Sequence, residues 1–136
     1  MTIVVDTNVV VSALLRPAGP PGRVIDLILA RPLGLAIDER IFAEYAEVLR
    51  RPELRFPGPV VADLLDDLWR SAERVRAAAL PIHLPDPDDA MFVEVGVTAM
   101  AQALVTGNLR HFPVSQRWGL RVVTPREALS LALEGG

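Results

Sequence analysis

Short apolar runs alternate along this chain with longer amphipathic stretches. Residues 2–6, Thr-Ile-Val-Val-Asp, form a β-branched run ending on a charge, which reads as a strand buried on both faces. Residues 33–37, 103–106 and 120–123 give three further short strand candidates. Between them, residues 9–15 read as a short helix, stopped by the Pro- and Gly-rich loop 16–22. Residues 23–31 read as an amphipathic helix with Val24, Leu27 and Ile28 inward, and residues 39–50 as another. After the interruptions at Pro52, Pro57 and Pro59, a longer helix is expected over 60–79, with Leu64, Leu65, Leu68 and Val75 on its apolar side. Residues 80–84 read as extended. Asp86 then has the form of an N-cap, with Pro87 at the first position of a helix running to about Gln102. Thr124-Pro125-Arg126-Glu127 is a capping box that opens the final helix.

Strands separated by helices of this length imply an α/β fold in three layers, α/β/α, with a small central parallel sheet flanked by helices. Residues 1–136 read as a single domain, without a repeat or a linker. Ligands in such folds bind outside the carboxyl ends of the strands. Asp6, Thr106 and Thr124 all fall at such ends.

Three carboxylates occupy places that packing alone would give to apolar residues. Asp6 closes a buried strand, where the plain alternative is a turn or helix N-cap aspartate. Glu44 falls between Ile41 and Val48 on the helical wheel, at the edge of the inward face, whereas Glu47 faces solvent. Asp89 shares a helical face with Phe92, Val93, Gly96 and Met100, so it points toward the core; Asp88 and Glu94 are expected to point away. Gathering three acids is costly unless a cation neutralises them. Oxygen-only ligation favours Mg²⁺ or Mn²⁺, which keeps several waters and accepts phosphate oxygens. The chemistry that follows is metal-assisted phosphodiester hydrolysis.

Composition narrows the choice. The chain has no cysteine and two histidines, which excludes disulfides, thiolate zinc sites, a cysteine nucleophile and a histidine-rich metal centre. All 14 basic residues are arginine, so Schiff-base and P-loop lysine chemistry are absent. The net charge of −3 does not rule out a nucleic-acid partner, because acids gathered in one pocket can coexist with a basic rim. The opening residues lack a basic start followed by a long apolar stretch, and no apolar run spans a bilayer, so a soluble cytoplasmic protein with no membrane association is expected.

The motifs now come together. Val4-Val5-Asp6-Thr7-Asn8-Val9, the segment around Glu44, Asp86-Pro87-Asp88-Asp89 with its following helix, and Ala103-Leu104-Val105-Thr106-Gly107-Asn108 stand in the order and spacing of PIN domains. The chain resembles that family over nearly its whole length, and most closely its toxins of prokaryotic toxin–antitoxin pairs, VapC-like in character. The resemblance implies a Mg²⁺- or Mn²⁺-dependent endoribonuclease with RNA as substrate. Asp6, Glu44 and Asp89 would be its catalytic and metal-holding residues, and Asn8, Thr106 and Asn108 would support them by hydrogen bonds. It also implies a cognate antitoxin, which would insert a C-terminal segment into the acidic pocket, and a homodimer. The dimer face would lie on the apolar arm 60–79 or the first helices. Arg110, Arg117 and Arg51 are the arginines placed to contact RNA, and Trp118, in a loop, is better placed than Trp69 to stack on bases.

One position departs from the family. Many PIN domains carry a further aspartate where this chain has the neutral Asn108, followed by His111 three residues on. The site would then hold three formal negative charges, which puts a two-metal mechanism in doubt. A competing reading is therefore a catalytically weak PIN-like module that binds RNA or protein. An unrelated phosphate-receiving regulator would need a lysine and an Asp-Asp pair on the first strand, and the chain has neither.

Overall fold

The computed structural model describes residues 1–134. The strands are β1 (Thr2–Val5), β2 (Gly34–Ile37), β3 (Glu73–Arg74), β4 (Ala103–Val105) and β5 (Val122–Val123). They pair in the order β3-β2-β1-β4-β5, and every pairing is parallel. The helices are α1 (Thr7–Leu15), α2 (Pro20–Leu29), α3 (Glu39–Leu49), α4 (Gly58–Ser71), α5 (Ala90–Thr98) and α6 (Pro125–Glu134). Parallel strands need crossovers, and the helices supply them while covering the sheet. This is why β1, at the centre, is apolar on both faces: Ile3, Val4 and Val5 are all fully buried.

The local signals explain most boundaries. Pro20 and Pro21 do not belong to the preceding loop but start α2, where a missing N–H costs nothing. Asp38 caps α3 by accepting from the Ile41 N–H at 2.9 Å. Asp86 caps a 3-10 turn, Pro87–Asp89, that leads into α5. Thr124 and Glu127 exchange both hydrogen bonds of the expected capping box, at 3.1 and 3.2 Å.

Two helices end earlier than periodicity implies. α5 stops at Thr98 instead of continuing to Gln102. Met100 adopts a left-handed φ of 54°, its N–H bonds to the Val97 carbonyl, and the Ala101 N–H bonds to the Gly96 carbonyl. These are the paired bonds of a Schellman stop, made here without the glycine that would mark it in sequence. α4 stops at Ser71, not near residue 79. The chain turns extended at Ala72 and adds β3 to the open edge of β2, with the Val75 N–H reaching the Ile37 carbonyl at 2.9 Å. Unpaired backbone at a sheet edge outweighs the helix preference of an Ala- and Arg-rich segment. Trp69, spaced as a core residue beside Leu65 and Leu68, is 37% exposed.

The core runs beneath the site. Tyr45 on α3 is fully buried and donates its hydroxyl to the Val5 carbonyl at the end of β1. This bond ties the helix carrying Glu44 to the strand carrying Asp6. Tyr45→Phe keeps the ring but orphans the carbonyl, at an expected cost of about 1–2 kcal/mol, measurable by urea denaturation.

Candidate active site

Asp6 leaves the carboxyl end of the central strand and stands at the N-cap position of α1, yet its side chain makes no capping bond there. Its Oδ2 instead accepts from Thr106 Oγ1 at 2.8 Å and from Asn8 Nδ2 at 3.2 Å. Asp6 thus holds the N-cap position of α1 while its carboxylate is turned to Thr106 and Asn8. Asn8 also accepts from the Gly107 N–H at 3.0 Å, so it joins the loops after β1 and β4. Thr106, at the end of β4, is fully buried.

Glu44 enters from α3, half-buried at the margin of the helix's inner face, and accepts a hydrogen bond from Thr7 Oγ1. Thr7 was not singled out in sequence; its place directly after Asp6 was the available signal. Asp89 sits where the 3-10 turn meets α5 and is only 8% exposed. Asp86 and Asp88 stay exposed beside it.

Three separate elements thus bring three acids together. Burial raises the pKa of Asp6 above the usual carboxylate range, against the hydrogen bond from Thr106. Burial raises Glu44 too, helped by the charge of Asp6 and opposed by Thr7. Asp89 is pushed up to about 7, by burial first and then by the charges of Asp6 and Asp86. Among the described residues none of the three pairs with an arginine. Their nearest cationic candidate is His111, whose Nδ1 lies 3.6 Å from Asp89 Oδ2.

Asn108 is occupied with its own turn. Its Oδ1 accepts from the Arg110 N–H at 3.2 Å, which leaves Nδ2 facing His111 Nε2 at 3.0 Å. With Asn108 as donor, Nε2 is the acceptor and the Nδ1–H of His111 faces Asp89. The Asn108 side chain therefore orients His111.

The other sequence candidates are dispersed. Arg110 is exposed, Arg117 Nε donates to the Phe112 carbonyl at 2.7 Å within its loop, and Arg51 pairs with Glu47 at 3.0 Å on the surface of α3. Trp118 is 50% exposed, at a left-handed φ of 52°. Glu94, expected to face solvent, is 5% exposed. Every residue from Met91 to Gly96 is buried, so α5 offers no solvent side over that stretch. Arg40 of α3 reaches Glu94 at 2.8 Å and Asp38 at 2.7 Å, and the Leu80 N–H also bonds Glu94, at 2.8 Å. An ion-paired acid of this kind leaves no mark on a helical wheel.

The donors Asp6, Glu44 and Asp89 are hard oxygen atoms whose mutual repulsion no arginine relieves and His111 offsets only in part, which fits a hard divalent cation in charge and chemistry. As the side chains stand, Glu44 turns to Thr7 and Asp6 to Thr106. No three acidic or histidine side chains among the described residues are closed around one point.

Among the described residues, no helix is long and apolar enough to cross a membrane. No curated protein matches the sequence. A chain of the crystal structure of VapBC2 from Rickettsia felis, bound to a DNA fragment from their promoter, shares the fold with a TM-score of 0.61. It is 16% identical, and the match covers 91% of this chain and 98% of that one. The family model of the PIN domain matches residues 2–110, and with the sheet, the acids and the motif order in agreement, the chain belongs to the PIN domain family.

Proposed function

We propose that this chain is a metal-dependent endoribonuclease that hydrolyses RNA phosphodiester bonds at Asp6, Glu44 and Asp89. PIN domains are generally nucleases. The observation that carries the reading is the convergence of three acids with raised pKa values at the carboxyl end of the central strands, without an arginine partner. A structural ion pair would have been supplied with its cation by the fold, as Glu94 is by Arg40.

The three carboxylates would hold Mg²⁺ or Mn²⁺, which when bound supplies positive charge to the phosphodiester and acidity to a water. Thr106 and Asn8 fix the Asp6 carboxylate, and Thr7 fixes Glu44. Asn108 acts by holding the His111 ring toward Asp89, adding no charge to the site. Three negative charges suit a single tightly held cation. The exposed Arg110 and the loop arginine Arg117 follow the strand that ends at Thr106 and are the nearest sequence neighbours for RNA phosphates on that side.

The fold shared with a chain of a VapBC2 complex supports a further reading, that the protein is the toxin of a toxin–antitoxin pair, restrained by a cognate antitoxin; such a toxin would act in the cytoplasm as a homodimer.

Incubation of a mixed RNA panel with Mg²⁺ or Mn²⁺, beside EDTA and an Asp89→Asn control, tests the proposal. Cleavage is expected only with metal and intact Asp89. Metal binding by a folded protein without any cleavage would refute it, in favour of a PIN-like binding module with Asn108 as the altered position.

A further inference from the structure

Two cavities at the carboxyl end of the sheet share Arg40. One, of about 340 Å³, is walled by Arg40, Glu44 and Asp88 on the flank of the acidic cluster. The other, of about 600 Å³, runs from Arg40 and Asp38 past Trp69 to Arg74 and Arg76. Arg74 and Arg76 are two apart along an extended segment, so both side chains leave it on the same side.

The floor of this second groove is an ordered stack. The Arg74 guanidinium lies over the Trp69 ring, 4.4 Å from its centroid, and Trp69 packs against Phe42 with centroids 4.8 Å apart. Arg74 Nη1 also donates to the Trp69 carbonyl at 3.0 Å, which satisfies an end carbonyl of α4 and holds the guanidinium plane in place. Among the described residues neither Arg74 nor Arg76 pairs with a carboxylate; of the groove's two acids, Asp38 is met by Arg40 and Glu39 is exposed at the rim without an ion pair.

We infer that this groove binds single-stranded RNA next to the cleavage site, with one base stacked on the outer face of Arg74 and a neighbouring backbone phosphate on Arg76. A guanidinium plane backed by an aromatic ring is a base-stacking platform, and its uncommitted charge draws the phosphate backbone. A duplex keeps its base faces covered and cannot use the platform. The inference rests on the nuclease reading, since Arg40 lines both this groove and the cavity beside Glu44.

The test is fluorescence anisotropy of a labelled single-stranded RNA of about ten nucleotides, bound to Asp89→Asn protein so that no strand is cut. Arg74→Ala is expected to weaken binding roughly tenfold or more. Arg76→Ala should weaken it less and lower the salt dependence, the slope of log K against log salt falling by about 0.7. Arg74→Lys, which keeps the charge but not the planar guanidinium, should keep the parent's salt slope without recovering the affinity lost in Arg74→Ala. Thermal melts check folding, and Arg76→Ala, which removes no internal hydrogen bond or ion pair, keeps the test open if Arg74→Ala fails to fold. Variants that bind like the parent, or a parent that binds no single-stranded RNA, would overturn the inference. Arginine-dependent binding by a wild-type protein that never cleaves RNA with metal would uphold the groove and sink the nuclease reading instead.

Discussion

Asp89→Asn is expected to reduce RNA cleavage by at least about a hundredfold while making the metal-free protein more stable at neutral pH. Both effects come from one cause. Asp89 is buried beside Asp6 and Asp86, and its pKa is pushed up to about 7. The folded state therefore holds a proton on Asp89 at pH values where the unfolded chain, with an ordinary carboxylate near pH 4, has released it. The contribution of Asp89 to metal-free stability is consequently greatest in acid and is lost as pH rises from about 4 to about 7. Above that window the folded protein carries the full repulsion of the cluster.

Asparagine removes the charge at nearly constant shape, so the variant escapes much of this fall. Asp6 and Glu44, also raised by burial, retain the remainder. Melting curves at pH 5.5 and pH 8, with and without Mg²⁺, read the effect. The wild-type protein should gain more from Mg²⁺ at pH 8 than at pH 5.5, because the cation competes with protons for the same oxygens. A variant that cleaves normally would sink the site assignment. One less stable than wild type at pH 8 without metal would sink the account of repulsion. Asp6→Asn should lose cleavage to a similar degree.

The second large effect concerns the frame of the site. Arg40→Leu leaves Asp38 and Glu94, both buried, without their shared cation. Breaking a buried pair costs about 3–5 kcal/mol, but the half-exposed guanidinium lets water reach the pair, so about 2–4 kcal/mol is expected here. The same cation links α3, which carries Glu44, to α5, which follows Asp89, so cleavage should fall along with stability. Adding Glu94→Gln removes one stranded charge and keeps an acceptor for the Leu80 N–H, and should recover part of the loss. Urea denaturation of the two single variants and the double variant measures this as a coupling energy. A loss below about 1 kcal/mol for Arg40→Leu would place the pair among ordinary screened surface ion pairs.

Both predictions depend on charges whose legibility in the sequence differs sharply. Asp6 and Asp89 could be singled out because each interrupts an apolar pattern in a place where its direction is fixed, at a strand end or on a helix face shared with Phe92 and Val93. Glu44 was legible for the same reason, one step more faintly. Thr7 and Thr106 owe their roles to the strand ends beside them. The parallel sense of the sheet could be anticipated, since apolar strands alternate with helices; the strand order was not. The edge strand β3 could not, because it is two residues long and its residues, Glu73 and Arg74, are exposed and polar.

What the sequence determined by itself is therefore local or periodic: the strands buried on both faces, the caps at Asp86 and Thr124, and the three acids set against an apolar background. Those signals survive because they depend on the 2.0 and 3.6 residue periods and on side chains reaching their own backbone. Tertiary structure alone decided the rest. The open edge of β2 ended α4 early and laid Arg74 over Trp69, and the enclosure of α5 from Met91 to Gly96 turned Glu94 onto Arg40. In each case the free energy lies between residues far apart in the chain, as in the 54 positions separating Arg40 from Glu94, and no periodicity records it.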